Sequence, residues 1–169
     1  EDYLVYIAEA DFGDAPDGAA APGYPTLLVN NGAHHLISPG VFLGNAIDRD
    51  LDGQPDATAT GDDLAGVDDE DGVTFMNAVV PGGTAWVQVA ASVAGWIDVW
   101  YDFNANGSWS DAGEAVFSGS VSAGLNGITF GVPATAIPGP TFARYRFGTQ
   151  GPIPVGGQWP DGEVEDYQV

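Results

Sequence analysis

Between Asp48 and Asp71, ten of 24 residues are acidic, and Arg49 is the only base among them. A stretch so self-repelling cannot pack against anything unless something neutralises it, so it limits the folds open to the chain more than any other segment does. It opens Asp48-x-Asp50-x-Asp52-Gly53-x-x-Asp56, and Asp102-x-Asn104-x-Asn106-Gly107 repeats the spacing further on. Oxygen-bearing side chains at alternate positions, followed by a glycine that permits a sharp turn, let a short loop wrap around one hard cation, and Ca²⁺ is the expected ion.

Against an EF-type loop, Asp48, Asp50 and Asp52 take the first, third and fifth ligand positions. Gly53 takes the sixth, the Gln54 carbonyl the seventh and Asp56 the ninth; Ala59 stands where a closing Glu would be. The last ligand is therefore expected from elsewhere in the fold. In the second loop Asp102, Asn104, Asn106 and Ser108 occupy the same frame, with Asp111 and Glu114 available to complete it. An Asn-Gly hairpin turn is the alternative reading there. A third group is scattered: Asp11, Asp14 and Asp17; Asp62 and Asp63; Asp68, Asp69 and Asp71 with Glu70; and Asp161, Glu163, Glu165 and Asp166. If part of it converges, one shared cation would tie both ends of the chain to its middle. Arg144 and Arg146, two apart and so on one face of a strand, are the other candidates to neutralise these acids.

The net charge is −21, with three arginines, no lysine, and 18 Asp to 6 Glu. This argues strongly against nucleic acid and anionic membranes as partners, since both demand a basic surface. A 44 % hydrophobic and 11 % aromatic content sets the chain apart from disordered acidic tails. With no cysteine to brace a fold outside the cell, bound calcium is the natural substitute. No apolar run is long enough for a membrane span, and no signal peptide is visible. The expectation is a piece of a longer secreted or surface precursor.

Segments 73–76, 87–91, 95–101, 114–118, 127–132, 142–147 and 164–169 read as strands, rich in aromatic and β-branched residues. Pro81-Gly82-Gly83, Ala123-Gly124, Pro138-Gly139-Pro140 and Gly156-Gly157 separate several of them as turns. With 25 Gly and 12 Pro, long helices have little room. The expected class is all-β, an antiparallel β-sandwich of jelly-roll or immunoglobulin-like type, with the acidic stretch 11–71 forming long cation-held loops. Glu1-Asp2-Tyr3 recurs as Glu165-Asp166-Tyr167 near the other end. This suggests successive copies of one module boundary: residues 1–8 belong to the end of a preceding unit, and 9–169 form a single module.

Asp11-Phe-Gly-Asp-Ala-Pro-Asp17, Tyr24-Pro-Thr26, Asn31-Gly-Ala-His34, Asp52-Gly-Gln-Pro55, Gly61-Asp-Asp63, Asp68-Asp-Glu-Asp-Gly-Val73, Asp102-Phe-Asn104, Asp111-Ala-Gly-Glu114 and Gly162-Glu-Val-Glu-Asp-Tyr167 occur in that order. Together they resemble the motifs of the bacterial extracellular GEVED-type domain over nearly the whole chain. The resemblance implies a β-rich accessory module, repeated or appended in large secreted and surface proteins, and not a catalyst.

His34-His35 lacks a spaced third ligand and reads as packing. Paired carboxylates can serve glycosidases, but here they carry no specific catalytic signal. Of five tryptophans, Trp96 and Trp100 flank Asp98 on one strand face and are expected in the core. Trp109 and Trp159, among Ser, Asp, Pro and Gly, are expected to be exposed contacts for a sugar ring. Two functions follow as expectations. One is a calcium-stiffened adhesive module partnered by neighbouring repeats of its own chain or a surface ligand. The other is a carbohydrate-binding module that targets an exported enzyme or a cell to a polysaccharide.

Overall fold

A computed structural model describes residues 8–18, 23–61 and 69–169, and within them the structure is all-β apart from one 3-10 turn, Leu28–Asn30. The strands are β1 (Ala10–Phe12), β2 (His34–Leu36), β3 (Val73–Phe75), β4 (Thr84–Ala91), β5 (Gly95–Tyr101), β6 (Ala115–Val121), β7 (Gly124–Gly131), β8 (Phe142–Gly148), β9 (Gln158–Trp159) and β10 (Glu163–Gln168). Two antiparallel sheets, β3-β4-β7 and β10-β8-β5-β6, face each other, consistent with a β-sandwich. Alternation puts Ala85, Val87 and Val89 of β4, Ile128 and Phe130 of β7, Ile97, Val99 and Tyr101 of β5, and Tyr145 and Phe147 of β8 between them. Each fully buried Val, Ile or Phe stabilises by about 1.5–3 kcal/mol. The chain changes sheets at the β6–β7 turn. There Gly124 has φ +92, and the Asn126 amide donates to the carbonyls of Ser122 and Gly124.

All seven residues of β8 are buried, so the larger sheet is covered on both faces. The second cover comes from the long segment ahead of β3. There β1, β2 and β9 form a small sheet in which β2 and β9 run parallel, and Tyr24, Trp109, Trp100 and Phe142 make a second apolar cluster. The loops before β3 are thus a third layer over the β8 face that carries Arg144 and Arg146. The short strands β1, β2 and β9 escape a sequence reading because two or three residues carry no period.

Both arginines sit in that layer interface with no exposure, and every guanidinium donor is used. Arg144 makes a two-pronged pair with Asp166 (Nε and Nη2, both 2.7 Å) and donates to Pro25 O, Val155 O and Thr26 Oγ1. Arg146 takes no carboxylate partner of its own. It donates to the carbonyls of His34, Pro154, Gly156 and Gly157 and, through Nε, to His35 Nε2 at 2.9 Å. An arginine N–H can only donate, so His35 Nε2 accepts, and the ring proton sits on Nδ1, which donates to Asp161 O at 2.6 Å. His35 is thus a buried, hydrogen-bonded residue of the layer interface, and the His34 ring stacks on Phe12 with centroids 4.7 Å apart. Residues 1–7, with the Glu1-Asp2-Tyr3 repeat, lie outside the described residues, as do Asp62, Asp63 and Asp68.

Candidate metal centre

The last strand explains its own sequence residue by residue. Gly162 holds φ +87, and a Cβ there would stand 1.8 Å from Phe147 O, so only glycine fits the approach to β10. Alternation then sends Val164 and Asp166 outward. The Val164 N–H donates to Asp11 Oδ2 at 2.7 Å, and Asp166 holds Arg144. Glu163, Glu165 and Tyr167 turn inward, at the edge where the two sheets part.

Two carboxylates facing the interior of a sandwich are costly, and each is only half satisfied. Glu163 Oε1 accepts from Leu43 N at 2.5 Å, and Glu165 Oε1 accepts from Gly72 N at 2.7 Å. Their Oε2 atoms are buried without a hydrogen-bond partner. Gly72 is required here as well, since a Cβ would lie 2.7 Å from Glu165 Oε1 and 2.4 Å from Leu43 Cβ. Asp69, 5 % exposed, joins them: its Oδ2 accepts from Asp48 N at 2.9 Å, and its Oδ1 is a third buried oxygen without a partner.

The electrostatics tie these groups together. Burial, then the charges of Glu165, Asp11 and Asp69, hold the Glu163 carboxyl well above the usual range. Burial raises Glu165 too, with Asp71 and Asp69 adding to it. Burial pushes Asp69 up to about 6, with Asp48 and Asp50 contributing. Asp11, Asp48, Asp50, Asp69, Asp71, Glu163 and Glu165 thus form one acidic neighbourhood, while both buried arginines are committed to the opposite face of β8. This electrostatic coupling links the chain's N-terminal part, its middle and β10.

The Asp48–Asp56 loop divides its acids. Asp50 accepts from Phe12 N and from the Gln54 side-chain amide, and bridges to Ala10 of β1. Asp52 accepts from Leu28 N and Gly53 N, while Asp56 caps its own turn at Thr58 and Thr60. The EF-type spacing therefore does not close on one point; the Asp48 N–H donates to Asp69, Asp50 holds Phe12 N and Gln54, and Asp52 and Asp56 hold backbone. Asp14 Oδ2 accepts from Gly61 N, and Asp71 clasps Asn45 through its N–H and its amide.

The second loop does close. It connects β5 to β6, and Tyr101 N–H to Glu114 O shuts its base. Buried Asp102 accepts from Tyr24 Oη (2.7 Å), Gly107 N (2.8 Å) and Asn106 N (3.2 Å). The amides of Asn104 and Asn106 both point at Asp111 Oδ2, at 3.0 and 2.6 Å, and hold that carboxyl below its usual range. Glu114, 2 % exposed, accepts from Asp111 N through Oε2, while its Oε1 is buried without a partner. Burial and the charges of Asp102 and Asp111 raise its carboxyl. Rotating the two carboxamides by half a turn would present oxygens in place of N–H groups. The Ser108 hydroxyl turns to Ser110 and away from this set. Among the described residues no group of three or more acidic or histidine side chains is placed so that it could hold one metal ion.

The tryptophans correct two expectations. Trp109 is buried, not exposed: its ring packs at a tilt against Tyr24 (centroids 4.1 Å apart), lies under the Arg144 guanidinium (4.5 Å) and donates to Phe142 O. Its polar neighbours line the loop while the ring folds back over β8. Trp159 is half-buried and tethered to Gln150 O. Trp100 is buried in the outer layer rather than between the two main sheets, and Trp96 is half-buried beneath Gly151. The most exposed indole is Trp86, at 44 %.

Residues 94–169 match the family model described as GEVED domain. No curated protein and no solved structure matches the chain. The GEVED match runs from β5 to β10 and so contains the Asp102 loop, both arginines and the Gly162–Asp166 motif. The acids that meet Glu163 and Glu165 come from ahead of it.

Proposed function

We propose that this is a calcium-binding structural module of a secreted or cell-surface bacterial protein, in which the cation fixes the N-terminal layer and β10 to the sandwich and keeps a tandem, adhesive chain stiff. The observation that carries the reading is the trio of buried oxygens without partners, Asp69 Oδ1, Glu163 Oε2 and Glu165 Oε2, in an acidic neighbourhood whose nearest buried arginines are spent on other partners. Hard carboxylate oxygens at a sheet edge suit Ca²⁺, and Asp102, Asn104, Asn106, Asp111 and Glu114 offer a second donor set. The net charge of −21 without a lysine fits saline, calcium-bearing surroundings, and with no cysteine a bound cation would stand in for a disulfide brace. The arrangement supplies rigidity and calls for no catalytic step.

Native mass spectrometry after dialysis against calcium tests this directly, with two bound calcium ions per chain expected. A protein that stays metal-free there, and whose protease resistance is the same in calcium and in EDTA, overturns it.

A further inference from the structure

We propose that the outer face of the β3-β4-β7 sheet binds an uncharged polysaccharide, with the Trp86 indole as its stacking platform. Residues 72–97 and 115–143 contain no charged side chain, and all three strands of this sheet lie within them. In a chain of net charge −21 that is a strong segregation: acids fill the loops and the opposite edge, and one sheet is left neutral. A neutral face on an anionic body complements a neutral polymer and repels a uronate or sulfated one.

Register shows what the face presents. Because Ala85, Val87 and Val89 point into the core, Trp86 and Gln88 point out. Trp86 pairs with Thr129, and Gln88 lies between Thr74 and Gly127. A Cβ at Gly127 would stand 3.3 Å from Trp86 Nε1, so the missing side chain is what lets the indole lie across the neighbouring strand. Asn77 fixes the strand beneath, accepting from Trp86 N at 2.7 Å and donating to Thr84 O at 2.9 Å. The result is a held aromatic plane set among hydroxyls and an amide, on strands that carry no charge.

That combination is sugar chemistry. The apolar face of a pyranose stacks on an indole, while Thr and Gln side chains meet its hydroxyls without charge. The face also exposes Met76 beside Trp86 and Leu125 opposite Ala90, but threonine, glutamine and glycine separate them, short of the broad apolar centre with several anchors that a protein partner needs. No residue of the acidic clusters takes part, so the inference stands apart from the calcium reading.

The test is retention on insoluble cellulose, chitin and mannan, and affinity electrophoresis in soluble β-glucan and xylan, with alginate and a sulfated galactan as anionic controls, all in calcium. The expected result is binding to at least one neutral polymer and to neither anionic one. Trp86→Ala should lose about tenfold or more in affinity, Trp86→Phe should lose less, and Trp159→Ala should bind as wild type. Each variant is first checked for an unchanged melting temperature. Failure on every neutral polymer, equal binding to the anionic ones, or retention that survives Trp86→Ala overturns the proposal. So does a chain that dimerises through Trp86 in sedimentation and binds no glycan.

Discussion

Replacing Glu165 with glutamine should reverse the order of two melting curves. The substituted carboxamide keeps an oxygen for the Gly72 N–H, but removes one negative charge from a pocket where Glu163, Asp69 and Asp71 press on it. Without a cation that charge is a liability. The carboxyls here have folded-state pKa values raised above their unfolded values, so their contribution is fullest below the ordinary carboxylate range and is lost as pH rises through the folded pKa. For Asp69, raised to about 6, ionisation near neutral pH costs on the order of 2 kcal/mol after allowing for screening at the rim of the cluster. Calcium inverts the balance by binding the ionised form, adding about 2.7 kcal/mol at 100 times its Kd. At about 3 °C per kcal/mol for a chain of this size, wild type should melt roughly 8 °C higher in calcium than in EDTA. Differential scanning calorimetry between about pH 5.5 and 8, in EDTA or in about 5 mM calcium, measures this; the gap should widen with pH, and magnesium should not reproduce it. Glu165→Gln should melt at or above wild type in EDTA and below it in calcium. If the variant is destabilised equally in both buffers, or wild type ignores calcium across that range, the pocket is neutralised by protons alone and the cation reasoning fails.

Glu114→Gln should show one calcium fewer by native mass spectrometry while the response at Glu165 persists, since the Asp102 loop and the sheet edge are separate donor sets. Arg144→Lys should cost about 3 kcal/mol in urea unfolding, because an ammonium cannot replace five fixed donors or the two-pronged pair with Asp166. Trp109→Ala should cost about 3–5 kcal/mol from the cavity it leaves under Arg144, with glycan retention unchanged where the protein still folds. His35 is held neutral by burial and by Arg146, its pKa well below 6.5, so its stabilising effect is complete above that value and falls away in acid. Unfolding in saturating calcium should lose up to about 1.4 kcal/mol per pH unit below about pH 6.5, a slope that His35→Gln removes.

The strands of the two main sheets were legible because most have six to eight residues of alternating or continuous β-branched and aromatic side chains, enough to show a period. The placement of the acids was not. A DxDxDG spacing says how a loop could meet a cation, but whether it does depends on where neighbouring backbone N–H groups lie. Leu28 N and Thr58 N claim Asp52 and Asp56 before any ion can. In Asp102 to Glu114 the β5–β6 hairpin closes the loop, so its oxygens stay near one another although Tyr24 Oη, Gly107 N and Asn106 N hold Asp102. Trp109 misled for a related reason, since flanking Ser and Asp describe the loop's backbone and not where a long ring can reach.

The Gly162–Asp166 motif shows why alternation matters more here than spacing. A strand can be read both ways at once: its outward acid pairs with an arginine and is structural, while its inward acids have backbone N–H groups and the Tyr167 hydroxyl but no cationic partner. The sequence names five consecutive residues, yet one face of them is already neutralised and the other is not. On the proposed reading, the cation would act at the seam where β10, the residues just ahead of β3 and the N-terminal layer meet. Removing the cation there should loosen the junction between layers before it disturbs either main sheet. Hydrogen exchange in EDTA should therefore quicken first at Leu43, Gly72 and Val164, whose N–H groups rest on Glu163, Glu165 and Asp11, while Val87 and Val99 stay protected.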